Sequence, residues 1–159
     1  MIFKKTNIAA LTFFVILCGC GFKPLKISNT NNISLAELDM KGNKIINFKI
    51  SSYLKQTLNF KKNNLTKIKV SINSEKKRDI KEKNNKNEIT KYNLTISSNV
   101  EVYILGTDKK ITFAVTKLNE YKVDDQYSVT IQNEKRASNE IINILSQDIV
   151  KNILFKIQW

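Results

Sequence analysis

Few residues in this sequence are equipped for covalent chemistry, and those that are stand near its start. The chain has two thiols, Cys18 and Cys20, and no histidine. The side chain that most often serves as general base or metal ligand near neutral pH is therefore missing. The four glycines, at positions 19, 21, 42 and 106, do not have the spacing of a phosphate-cradling loop. Hydroxyl pairs such as Ser51-Ser52 and Ser97-Ser98 have no basic partner of the triad type. Asp124-Asp125 are adjacent acids of the kind that end a strand. We expect no catalytic residue and no metal, and binding as the function.

Cys20 is the exception. Lys4 and Lys5 give a basic start, Ile8 to Leu17 an apolar run, and Leu17-Cys18-Gly19 a flank for cleavage, the three parts of a secretory signal. The run is far shorter than the ~20 residues that cross a bilayer as a helix. A cysteine after Leu-x-Gly resembles the bacterial lipobox, in which the sulfur is lipidated and the cysteine becomes the new N-terminus. A plain signal peptide ending in cysteines is the alternative. On the lipobox reading, residues 1–19 leave with Cys18 and no disulfide can form. The only prosthetic group is then covalent lipid on Cys20, with no other cofactor. Each buried methylene contributes ~0.8 kcal/mol, so two or more acyl chains anchor stably where one would not. Gly21, rather than the aspartate of inner-membrane retention, follows the cysteine. The expected location is the outer membrane, anchored on its periplasmic side.

The formal net charge is +13, open to two readings. One is attraction to phosphates of lipid, lipopolysaccharide or nucleic acid, and export argues against nucleic acid. The other is nucleotide bias, because the basic residues are nearly all lysine, with only Arg78 and Arg136. The densest basic cluster is Lys76, Lys77, Arg78, Lys81 and Lys83, the candidate site for phosphate groups. It lies in residues 75–87, where Ile80 is the single apolar residue. Such a segment reads as an exposed, mobile loop, with room for the preceding strand to run into it.

The elements that must position these residues follow from periodicity. Residues 26–32 are polar and read as a tether, giving a signal at 1–19, a lipidated tether at 20–32 and one domain at 33–159. Ile33 and Leu35 alternate with polar residues and then Leu38 and Met40 take the opposite parity, as in a strand with a bulge near Glu37. From Lys44 to Phe60 the spacing of Ile46, Ile50, Tyr53, Leu54 and Leu58 is helical, with Asn43 as N-cap. Ile68, Val70 and Ile72 mark a half-buried strand. Tyr92 to Leu105 and Ile111 to Val123 alternate as a long hairpin around Gly106. In the expected register Leu105 pairs with Lys110, Ile104 with Ile111, Val102 with Phe113 and Val100 with Val115. A second helical period runs from about Asn133 to Lys156, with Val129-Thr130-Ile131 open to either type. The expected fold is α+β: a two-layer sandwich, order β-α-β-β-β-α, with both helices on one face of a four-stranded, mostly antiparallel sheet.

Cys20-Gly21-Phe22-Lys23-Pro24-Leu25 resembles the start of the mature chain in the LptE family of lipopolysaccharide-assembly lipoproteins. The stretch from Asn133 to Val150 is similar to that family's final helix, and the element order agrees over the whole mature chain. That helix is Arg-rich in the family, whereas here Arg136 is its one arginine. The resemblance implies a non-catalytic role: occupying the LptD outer-membrane barrel, assisting its assembly and contacting lipopolysaccharide on its way to the outer leaflet. The implied partners are an LptD-type barrel, lipopolysaccharide and the membrane through Cys20, with no nucleic acid. The alternative is another envelope lipoprotein serving as a protein-interaction module in cell-envelope assembly.

Overall fold

The computed structural model describes residues 33–58 and 66–158. Cys20, the signal and the tether lie outside the described residues. β1 spans Ile33–Gly42, α1 Lys44–Leu58, β2 Thr66–Lys83, β3 Ile89–Ile104, β4 Lys110–Lys122 and α2 Tyr127–Gln158. The sheet order is β1-β2-β3-β4, with β1 parallel to β2 and the other pairs antiparallel. This is the expected α+β sandwich. β1 shifts register between Leu35 and Glu37, so that Leu35 pairs with Ile68 and Leu38 with Val70. The parity change at Glu37 is thus a bulge that keeps Ile33, Leu35, Leu38 and Met40 packed on the helix side.

Gly42 turns the chain from β1 into α1. Its φ is +90°, and a Cβ there would lie 2.0 Å from the Ser74 carbonyl oxygen, so only glycine fits. The next amide, Asn43 N–H, donates to that same oxygen at 3.0 Å. Asn43 Oδ1 then accepts from the amides of Ile45 and Ile46 at 3.1 and 3.2 Å, the expected N-cap. Ile46, Ile50, Leu54 and Leu58 of α1 are buried against Ile68, Val70 and Ile72 of β2 and Leu94, Ile96, Val100 and Val102 of β3. α2 adds Ile141, Leu145, Ile149 and Ile153. Each such side chain contributes about 1.5–3 kcal/mol on burial.

Two expectations need correction, and one open point is resolved. Residues 75–83 are not a loop: β2 continues to Lys83 and pairs with β3 as far as Ile89. The backbone ladder to β3 orders a stretch that has almost no apolar residues of its own. The turn is confined to residues 84–88, closed by Asn84 N–H donating to Glu88 O at 2.9 Å, with Asn87 at φ +64°, a conformation asparagine tolerates. The β3–β4 register is two residues away from the expected one, with Val102 opposite Ile111, Val100 opposite Phe113 and Ser98 opposite Val115. The connection is longer than expected, Ile104 N–H donating to Lys109 O at 3.2 Å, around Gly106 at φ +85°. A slip of two leaves every side chain on its face, so the apolar pattern cannot distinguish these registers. Finally, α2 begins at Tyr127, resolving Val129–Ile131 as helix.

Candidate functional site

The long β2–β3 pair carries its alternation past the apolar core. Ile68, Val70, Ile72 and Ser74 are buried on the helix side, and the same parity continues through Lys76 and Arg78. The boundary is a buried hydroxyl pair, Ser74 Oγ and Ser98 Oγ, 3.0 Å apart. Beyond it the β2 half of the face turns polar while Ile96 and Leu94 of β3, opposite Lys76 and Arg78, stay buried, and α2 answers with Glu134. Lys76 Nζ lies 2.5 Å from Glu134 Oε1, and Arg78 Nη1 lies 3.6 Å from Oε2. Tyr121 Oη donates to Oε2 at 3.2 Å and accepts from Arg78 Nη1 at 3.5 Å. The Arg78 guanidinium stands 4.8 Å over the Tyr92 ring, which stacks on Tyr121 with centroids 5.5 Å apart.

Glu134 is the hub. Burial acts to raise its pKa, but the hydrogen bond and charge of Lys76, joined by Tyr121 and Arg78, outweigh it and hold the carboxyl below its ordinary value. Burial, opposed by the Arg78 hydrogen bond and aided by the Glu134 charge, raises the Tyr121 phenol. Beside the hub, residues of α1, β2 and α2 line a cleft of about 350 Å³, among them Ile45, Lys49, Lys76, Ile131, Glu134 and Lys135. Its walls combine two isoleucines with three lysines and one carboxylate.

The five basic candidates do not form one site. Lys76 and Arg78 share Glu134 on the helix side. Lys77 faces the opposite, helix-free side and pairs with Asp79 at 3.1 Å. Lys81, displaced by a register shift after Ile80, pairs with Glu120, and this contact lowers the Glu120 pKa. Lys83, at the hairpin tip, donates to Asn87 Oδ1 at 2.9 Å. The cluster is thus split across both sheet faces, and four of its five cations already hold a carboxylate. Strand parity carried through residue 78 places Lys76 and Arg78 beneath a helix, a signal hidden by their charge. Glu134, Tyr92 and Tyr121 were not among the sequence candidates, and only α2 packing shows their part.

The helix-free face is mostly polar. Lys69 pairs with Glu37 at 2.7 Å. Glu101 accepts from Tyr103 Oη at 2.7 Å and pairs with Lys110 at 3.1 Å, contacts that lower its pKa, Tyr103 first. Among the described residues no group of three or more Asp, Glu, His or Cys could hold a metal. No described helix is long and apolar enough to cross a membrane. The arrangement offers fixed charges and surfaces suited to binding.

No protein-family model and no curated protein matches this sequence. Among solved structures the chain is similar to rare lipoprotein B from Shewanella oneidensis, with a TM-score of 0.57 and 11% identity over 76% of this chain and 95% of that one. It is also similar to a protein from Caulobacter crescentus CB15 assigned as a lipoprotein, with a TM-score of 0.54 and 10% identity over 82% and 93% of the two chains. At these identities the likeness establishes a shared fold.

Proposed function

We propose that this chain is an outer-membrane lipoprotein of the LptE type. On this reading it is held by lipid on Cys20, helps a large β-barrel partner of the LptD type to assemble, occupies its lumen, and contacts lipopolysaccharide during transfer to the outer leaflet. One observation carries the reading: the fold likeness to rare lipoprotein B spans nearly all of that protein, which belongs to the LptE family, and this sequence has an acylatable cysteine just ahead of the shared domain. The absence of histidine supports a binding role rather than catalysis. Lipid phosphates would meet Lys83 at the hairpin tip first, because reaching Lys76 or Arg78 means competing with Glu134.

The test is purification of the full lipidated chain in mild detergent, with mass spectrometry of its N-terminus and partners. An acylated Cys20, a copurifying LptD-type barrel, and loss of surface lipopolysaccharide on depletion are expected. Cys20→Ser abolishes acylation, read as loss of the lipid mass from the N-terminus and retention of residues 1–19. Normal barrel assembly and normal surface lipopolysaccharide after depletion refute the proposal. An acylated chain with other envelope proteins and no barrel replaces it with an interaction module elsewhere in envelope assembly.

A further inference from the structure

The two edges of the sheet differ. β1 is interrupted by its bulge at Leu35/Glu37, one of the devices that keeps an edge from pairing with another chain. β4 has none: its register with β3 is unbroken from Lys110 to Lys122. The direction of its backbone groups follows from the hydrogen bonds at the two ends of the ladder. Ile104 N–H donates to Lys109 O, and Val123 N–H donates to Thr90 O, so the odd-numbered residues of β4 bond inward to β3. In an antiparallel ladder the alternate residues then point N–H and C=O away from the partner strand. These are Lys110, Thr112, Ala114, Thr116, Leu118, Glu120 and Lys122.

At one end the outward groups are capped. Asn119 Oδ1 accepts from Glu120 N–H at 2.8 Å, and Asn133 Nδ2 donates to Lys122 O at 3.2 Å. From Lys110 to Leu118 no described residue caps them. This open stretch also carries apolar surface on both sides. Leu118 is 62% exposed on the helix-free face, and Ile111 and Phe113 are only half-buried on the helix side.

We infer that the β4 edge from Lys110 to Leu118 is a docking site for an extended, net-acidic segment of another protein, which adds to the sheet as a fifth strand. This goes beyond the reading above, because it concerns the outer edge of the sheet and a different class of contact. An unpaired run of alternating donors and acceptors is matched by another extended backbone. Aliphatic side chains at alternate positions of that segment would cover Ile111 and Phe113, and the intervening ones would lie over Ala114 and Leu118. The acidic preference follows from charge: Lys110 is shared with Glu101 and Lys117 with Asp148, at 3.1 and 2.5 Å, but β4 itself has three lysines, Lys110, Lys117 and Lys122, against Glu120, in a chain of net charge +13. The same count disfavours a second copy, which about a twofold at Thr116 would set Lys110 against Lys122 twice.

The test uses the full lipidated chain in mild detergent and a fluorescein-labelled nine-residue peptide of alternating valine and threonine with glutamate at both ends. Saturable binding by anisotropy is expected, with hydrogen exchange at Thr112, Ala114 and Thr116 slowed by the peptide while Phe113 and Val115 stay slow throughout. Thr116→Pro removes an outward N–H without touching the ladder to β3, so it keeps the melting temperature and weakens binding at least about tenfold, or ~1.4 kcal/mol. Thr112→Pro gives an independent second variant. Methylating alternate peptide amides abolishes binding, and glutamate-to-lysine ends weaken it. No saturable binding, equal binding by Thr116→Pro, or equal binding of the methylated peptide overturns the proposal. So does slow exchange at these amides without peptide: if it depends on protein concentration, the occupant is a second copy, and otherwise this chain's own segment.

Discussion

Replacing Glu134 by glutamine keeps the shape of the hub and an acceptor for Tyr121 but removes the one negative charge between Lys76 and Arg78. The Glu134 side chain is 19% exposed and that of Lys76 28%, between the surface pairs worth about 0–1 kcal/mol and the buried ones whose disruption costs about 3–5 kcal/mol. Arg78, at 53% exposure, can turn to water and adds little. We therefore expect a loss of about 1–2 kcal/mol at pH 7. With an m-value of roughly 2 kcal/mol per molar urea for a domain of this size, the unfolding midpoint falls by about 0.5–1 M. The pH dependence supplies the stricter test. The folded-state pKa of Glu134 is depressed, so its contribution is fully present above the unfolded-state value of about 4.3 and is lost as pH falls through the folded value. Urea melts of the wild type and Glu134→Gln should converge in acid and separate above about pH 5. Equal midpoints at pH 7, or a gap that persists unchanged in acid, would refute the account of Glu134 as a charge hub.

Gly42→Ala forces a side chain into the Ser74 carbonyl at positive φ, and should cost about 3 kcal/mol or more, read as a lower melting temperature by circular dichroism. Asn43→Ala strips the acceptor from two helical amides and should cost about 1 kcal/mol, with Asn43→Asp close to wild type in the same melt. Ser74→Ala leaves the Ser98 hydroxyl buried without its partner, at about 1–2 kcal/mol. The Ser74→Ala/Ser98→Ala double variant should lose less than the sum of the singles, and strict additivity in the double-mutant cycle would count against a shared bond.

Element types were legible because each has a period that burial imposes. Ile46, Ile50, Leu54 and Leu58 recur at helical spacing, and Tyr92, Leu94 and Ile96 alternate as a strand must when one face is dry. Even the bulge at Glu37 shows in the parity change from Leu35 to Leu38. The reach of β2 to Lys83 was not legible, since residues 75–83 look like a solvated loop until β3 lies alongside. The basic residues were misread as one cluster for the same reason: closeness in sequence is not closeness in space once a strand alternates its faces.

By itself the sequence determined what a local pattern can encode: a cysteine behind a short apolar run with a basic start, two amphipathic helices, alternating strands, and a chain without histidine. Only the tertiary structure decided the β3–β4 register, because a two-residue slip leaves every side chain on its face. It also decided which cations are already neutralised, because Glu134 and Glu120 reach Lys76, Arg78 and Lys81 across some forty to sixty residues of chain. The open edge of β4 belongs to the same class. Whether a backbone N–H is paired depends on which strand lies next to it, and that is set by the packing of the whole sheet.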